Sequence, residues 1–125
     1  MAILFVYGTL KKNFSAHRIL KQSPAAFLGE AKTTPEYHLY DVGSFPGLIF
    51  DDSSEGGVFG ELYQVPEAAF KNLDRYECVN TGLFRREEII LEDETKAYAY
   101  IFNSNVENAK RIDEGVWRQE DKQYE

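Results

Sequence analysis

The chain predicts an α+β fold built on a mostly antiparallel sheet, and three observations predict it. Short apolar or alternating runs bounded by turn residues recur through most of the 125 residues, about seven in all. At least two successive pairs of runs are joined by short turns, which is how antiparallel neighbours connect. Helical spacing is confined to two stretches, too few for the strand–helix alternation of a doubly wound sheet. A sheet of this kind can close into a small barrel with the helices on its flank. The length suits one domain over residues 1–125.

The elements follow in order. Ala2 to Tyr7 is an apolar run that reads as a buried strand, and Gly8 stops it. Ser15 to about Gln22 has helical spacing, with Asn13 or Ser15 able to cap it and Ser23-Pro24 ending it. Strands are predicted over Ala26–Ala31 and Tyr37–Asp41, then a short apolar run from Leu48 to Phe50. Asp51 to Gly57 is a polar loop. Val58–Val65 is the next strand, and Gly60 within it signals a bulge or a close backbone approach. Pro66 opens a helix that runs to Tyr76, and Asn80-Thr81-Gly82 is a turn. Phe84–Leu91 and Thr95–Phe102 form a hairpin around Asp93, with Lys96, Tyr98, Tyr100 and Phe102 alternating against Ala97, Ala99 and Ile101. The tail from Ala109 is weakly periodic, Trp117 is its anchor, and the last residues are expected to fray.

Composition removes several function classes. A formal net charge of -7, with basic residues scattered among acids, disfavours nucleic acid as a partner. No apolar run approaches the roughly 20 residues that span a bilayer, and no secretory signal is visible at the N-terminus. The single cysteine, Cys78, excludes an internal disulfide, so the expected compartment is the cytoplasm. His17 and His38 lie in no ligand-spaced cluster, so no metal is expected. Cys78 has no histidine at recognisable spacing and reads as a packing residue.

Chemistry is expected where the first strand ends. A strand, a tight glycine loop and a helix start in succession leave backbone N–H groups that a small anion can satisfy. Gly8 removes a side chain where something approaches the backbone. The reactive partner is sought in the second helix, where Phe70, Leu73 and Glu77 share a face and Lys71 and Arg75 point away. A glutamate on a core-facing stripe is rarely buried without a partner. Burial and the negative helix end would both raise its pKa and make it a better base. The plainer reading ends the helix at Tyr76, with Glu77 turned to water or paired with Arg75 or Arg86.

Tyr7-Gly8-Thr9-Leu10, then Leu73-Asp74-Arg75-Tyr76-Glu77, then Phe84-Arg85-Arg86 resemble the motifs of the gamma-glutamylcyclotransferase-like family. Phe45-Pro46-Gly47, Gly60-Glu61-Leu62-Tyr63 and Gly115-Val116-Trp117 also match, in order, over nearly the whole chain. The resemblance implies a small mixed barrel with flanking helices and a cavity between the first loop and Glu77. It further implies a small-molecule substrate carrying a γ-glutamyl group, cyclised to 5-oxoproline with release of an amine and without a cofactor. Glu77 would be general base and acid, Tyr7, Gly8, Thr9 and Leu10 the carboxylate-holding loop, and Phe84 and Tyr100 pocket walls. Asn13 and Cys78 stand where the family usually has glycine, Ala16 where it has asparagine, and Phe84 where it has tyrosine. Those departures motivate the alternative of a non-catalytic binding module on the same fold.

Overall fold

Leu4, Phe5 and Val6 are buried because their strand, β1 (Ala2–Val6), lies between two neighbours, one antiparallel and one parallel. The computed structural model describes residues 1–14, 16–22, 24–43, 45–52 and 55–118. After β1 come α1 (His17–Lys21), β2 (Ala26–Lys32), β3 (Tyr37–Asp41), β4 (Pro46–Phe50) and β5 (Phe59–Val65). A 3-10 turn over Glu67–Ala69 leads into α2 (Phe70–Tyr76), and a second over Val79–Thr81 leads out of it. The chain then forms β6 (Phe84–Ile90), β7 (Lys96–Phe102) and the short β8 (Lys110–Arg111).

The strands make one mixed sheet in the order β2-β5-β1-β7-β4-β3-β8, with β6 also paired to β7. Five of the pairings are antiparallel and two, β1 with β7 and β4 with β7, are parallel. β6 follows β7 from Phe84 opposite Phe102 to Ile90 opposite Lys96, which fills one edge of β7. The other edge is shared. β1 pairs there at Leu4 with Tyr98, and β4 at Leu48 with Ile101. The sheet therefore forks beside β7, and the fork makes room for a cavity. Thr33 bridges to Leu91 and the Glu92 N–H donates to the Lys32 carbonyl at 3.0 Å, so β2 and β6 meet at one end. The result is a curled half-barrel.

β7 separates two apolar clusters. Tyr98, Tyr100 and Phe102 join Leu4, Leu20, Phe70, Leu73 and Phe84 on one side. Ala97, Ala99 and Ile101 join Phe5, Leu39, Leu48, Ile89 and Trp117 on the other. This is the face split that the alternation of β7 predicts. Trp117 is buried, and its carbonyl accepts a hydrogen bond from Lys11 Nζ at 3.0 Å, which anchors the end of the described chain.

Several details differ from the sequence reading. α1 is shorter than expected, and no side chain caps it: Ala16 is its N-cap, and Asn13 sits in a left-handed turn at φ 73. Ser15, Ser23 and residues 119–125, to which a cap, a helix stop and fraying were assigned, lie outside the described residues. Gly60 is a close approach and not a bulge, since a Cβ there would lie 2.4 Å from the Val6 carbonyl oxygen. The bulge is in the partner strand, between Phe27 and Gly29. Where a turn was expected over Asn80–Gly82, a 3-10 turn runs over Val79–Thr81 and Gly82 closes it in left-handed backbone. Among the described residues, no helix is long and apolar enough to cross a membrane.

Candidate active site

β1 ends at Val6, and the chain turns through Tyr7, Gly8, Thr9 and Leu10, closed by the Lys11 N–H donating to the Gly8 carbonyl at 3.0 Å. A Cβ on Gly8 would lie 2.6 Å from Pro46 Cγ, so the group that needs a glycine here is the first residue of β4. Within the described residues, the backbone N–H groups of Gly8, Thr9 and Leu10 donate to no protein acceptor. The expectation placed such donors at a helix start. They belong to the turn instead, because α1 begins only at His17.

α2 carries the carboxylate. Phe70 and Leu73 are buried while Lys71 and Arg75 are exposed, so the helix presents the stripe expected of it. Glu77 is its C-cap, with its N–H donating to the Leu73 carbonyl at 3.0 Å, and Cys78 then turns left-handed at φ 57. Glu77 is thus the last residue carried by the helix and faces where the helix stripe faces. Its residue surface is partly exposed, yet its carboxyl is well desolvated, and that burial pushes its pKa up to about 8 from 4.5. The carboxyl makes no ion pair or hydrogen bond within the described residues, and Arg86 is engaged with Asp74. The plainer reading is right that the helix ends at Tyr76, but Glu77 neither pairs with Arg75 or Arg86 nor turns its carboxyl to water.

A cavity of about 240 Å³ opens at the fork. Its wall includes Tyr7, Gly8, Thr9 and Leu10 from the turn, Glu77 from the end of α2, Phe84 from β6 and Tyr100 from β7. The structure brings together every site residue that the sequence picked out. It adds Phe45, Pro46, Tyr76, Cys78, Leu83 and Val6. Of these, the Phe-Pro-Gly run was visible as a motif with no role attached. Its role is steric: Pro46 seats against Gly8, and a Cβ on Gly47 would lie 2.8 Å from Phe102 Cβ. Phe84 stands between Phe45 and Phe102, with ring centroids 5.9 and 5.4 Å away.

Three phenols surround Glu77. Tyr7 is buried and donates its hydroxyl to the Tyr100 carbonyl at 2.6 Å; burial first, and then the charge of Glu77, hold its pKa well above the ordinary range. Tyr76 shares a hydrogen bond of 2.8 Å with Thr9 Oγ1, and burial raises its pKa. Tyr100 donates to Asp74 Oδ1 at 2.6 Å; burial raises its pKa most, followed by the bond to Asp74. Among the described residues, the lining holds no lysine or arginine, and Glu77 is its one carboxylate. His17 is occupied structurally, with Nδ1 2.8 Å from the Leu10 carbonyl, and no group of three or more His, Cys, Asp or Glu among the described residues could hold a metal ion. Chemically, the arrangement offers one titratable base opposite a set of backbone donors.

The family model for "Gamma-glutamyl cyclotransferase, AIG2-like" matches residues 4–119. The chain belongs to that family. It is similar to a putative gamma-glutamylcyclotransferase of Vibrio cholerae, 39% identical over 117 residues that cover 94% of this chain and 96% of the relative. It is also similar to the human gamma-glutamylaminecyclotransferase, 38% identical over 101 residues, covering 74% of this chain and 65% of that protein. Among solved structures, the AIG2-like protein of Mus musculus superposes with a TM-score of 0.76 at 26% identity, over 86% of this chain and 81% of that one. The half-barrel with two short helices is thus the architecture of AIG2-like proteins.

Family membership makes sense of two departures. Asn13 and Cys78 replace usual glycines, and both hold left-handed backbone, at φ 73 and 57. The backbone handedness that glycine serves is kept, at low cost for asparagine and at a higher cost for cysteine. Ala16 is buried, and its N–H donates to the Thr9 carbonyl at 3.1 Å.

Proposed function

We propose that this protein cyclises a γ-glutamyl amine to 5-oxoproline and releases the free amine, with Glu77 as general base and then general acid. The observation that supports this most is the pairing of a desolvated, unpaired Glu77 with the donor-rich turn across one cavity. The N–H groups of Gly8, Thr9 and Leu10 would hold the substrate α-carboxylate. Tyr7, Phe84 and Tyr100 would wall in the aliphatic stem. Glu77 accepts a proton from the α-ammonium, and the freed amine nitrogen attacks the γ-carbonyl carbon of the same molecule. Glu77 then returns that proton to the departing nitrogen as the amide C–N bond breaks, and the second proton shed by the ring nitrogen is taken up by the released amine, which leaves as an ammonium. Atoms balance with one substrate, two products and no net proton change.

The base is matched to its task. A pKa of about 8 brings the base far closer than an ordinary carboxylate to the substrate α-ammonium, which its free α-carboxylate holds somewhat above the roughly 8 of a peptide amino terminus, so the first proton transfer runs only modestly uphill. Folding the flexible glutamyl stem into a ring-closing shape supplies a large share of the remaining rate. The test is release of 5-oxoproline from a panel of γ-glutamyl amines. Glu77→Gln should keep the fold and lose roughly 10²–10⁴-fold in rate. Binding of these amines with no 5-oxoproline formed from any of them would leave the non-catalytic binding module instead. The changes at Asn13 and Cys78 weigh little toward that module, since both keep a glycine-like backbone. A cytoplasmic setting belongs to the same reading, in keeping with one unpaired cysteine.

A further inference from the structure

Behind the cavity, Tyr100, Asp74 and Arg86 form a chain of polar contacts that joins β7, α2 and β6. The Tyr100 hydroxyl donates to Asp74 Oδ1 at 2.6 Å, the short distance of a bond to an ionised carboxylate. Arg86 Nη1 lies 3.4 Å from the same oxygen, and its guanidinium is stacked over Phe70 at 4.0 Å. As a carboxylate, Asp74 offers only acceptor oxygens to the phenol and the guanidinium. Asp74 lies three residues before Glu77, on the neighbouring part of the same helix face.

The groups facing Glu77 can be named element by element. Tyr7 comes from the end of β1, Thr9 from the turn, Tyr76 and Cys78 from its own segment and Tyr100 from β7. Arg18 of α1 acts on Tyr76 from outside the lining. The charge of Glu77 is felt by the phenols of Tyr7, Tyr76 and Tyr100, so all three lie near its carboxyl. None donates to it within the described residues. The Tyr7 proton goes to the Tyr100 carbonyl and the Tyr100 proton to Asp74.

We propose that Asp74, held by Arg86, is a positioning residue for Glu77: it takes the Tyr100 hydroxyl proton out of the cavity and so leaves the Glu77 carboxyl without a donor. A phenol bonded to Glu77 would stabilise the carboxylate and weaken the base. The acidic residue of the Leu-Asp-x-x-Glu motif then serves the reaction through the carboxylate one turn later. This role rests on the reading of Glu77 as the base, but its test does not require turnover.

The test is a titration of the Glu77 side-chain carboxyl by carbon NMR in the substrate-free protein, for wild type, Asp74→Ala, Tyr100→Phe and the double variant. Asp74→Ala should lower the Glu77 midpoint by about one pH unit, because the freed phenol turns to the nearest acceptor. Adding Tyr100→Phe should return the midpoint to the wild-type value. Tyr100→Phe alone should leave it in place. An unmoved midpoint in Asp74→Ala, or a lowered one that Tyr100→Phe fails to restore, would overturn the proposal. If Asp74→Ala does not fold, Tyr100→Phe decides: a rise of the Glu77 midpoint would show that the phenol had been bonded to Glu77 all along. With a γ-glutamyl amine as substrate, the acid limb of kcat/KM in Asp74→Ala should move by the same amount. Absence of turnover in the wild type would remove the proposed function and leave the titration result standing.

Discussion

Pro46 stands so close to Gly8 that a methyl group on the glycine would lie 2.6 Å from Pro46 Cγ and 3.1 Å from Cδ. The pair locks the turn after β1 to the start of β4, at the point where both strands leave the shared edge of β7. A proline ring has no flexible end to swing aside, so a side chain at Gly8 must displace backbone on one strand or the other. Gly8→Ala should therefore cost about 1–3 kcal/mol in stability, the usual range for overpacking. It should also cost activity, since the displaced turn carries the N–H groups assigned to the substrate carboxylate. Urea unfolding and 5-oxoproline release on the same preparation check both, and wild-type behaviour in both would show that the contact gives way freely.

Glu77 should make the fold less stable as pH rises. Its carboxyl titrates at about 8 when folded against 4.5 for the ordinary group, so the unfolded chain ionises first. Below about pH 4.5 both states are protonated and no penalty applies. Between the two values stability falls with pH, because the folded state binds the extra proton. Above the folded value the full penalty is present, roughly 4–5 kcal/mol at 1.36 kcal/mol per unit. Glu77→Gln removes the titration. The stability difference between variant and wild type should open steadily from pH 4 to pH 9, with the variant the more stable. Parallel unfolding curves over that range would mean that the carboxyl is not desolvated.

The same titration sets the shape of the rate profile. For the free enzyme, kcat/KM should climb tenfold per pH unit on the acid side and level near pH 8, where Glu77 becomes a carboxylate. Beyond that, loss of the substrate α-ammonium proton turns the profile down. Glu77→Gln should lose the acid limb as well as the rate. A limb centred near pH 4.5 would place the base in an ordinary aqueous setting.

What the sequence made legible is whatever one element decides by itself. The alternation along β7 separates Tyr98, Tyr100 and Phe102 from Ala97, Ala99 and Ile101, and those sets lie in different clusters. The helical stripe through Phe70 and Leu73 points Glu77 inward, because position on a helix fixes direction. What stayed hidden depends on two distant elements meeting. That Pro46 would seat on Gly8 follows from two parallel strands sharing one edge of β7, and no local pattern encodes that pairing. The Asp74–Arg86–Tyr100 contacts join helix to two strands and were equally unreadable, although two of those residues sit within recognised motifs. The turn donors were expected for the right stretch but for the wrong reason, since α1 starts too late to supply them.

Cys78 offers a separate test of the local backbone. It follows the catalytic candidate directly and holds φ 57, a left-handed conformation that crowds the Cβ of any L residue. Its carbonyl accepts from the N–H groups of Thr81 and Leu83 at 3.3 and 3.2 Å, so the turn after α2 depends on that conformation. Left-handed backbone costs a non-glycine residue about 1–2 kcal/mol, while a glycine gives back roughly 0.5–1 kcal/mol in unfolded-chain entropy. Cys78→Gly should therefore gain about 0.5–1 kcal/mol, against the usual destabilising effect of introducing glycine. Cys78→Ala keeps the strained backbone and should show no such gain. Urea midpoints of the pair check this. A loss of stability in Cys78→Gly equal to that of Cys78→Ala would mean that the thiol's packing in the cavity wall outweighs the strain.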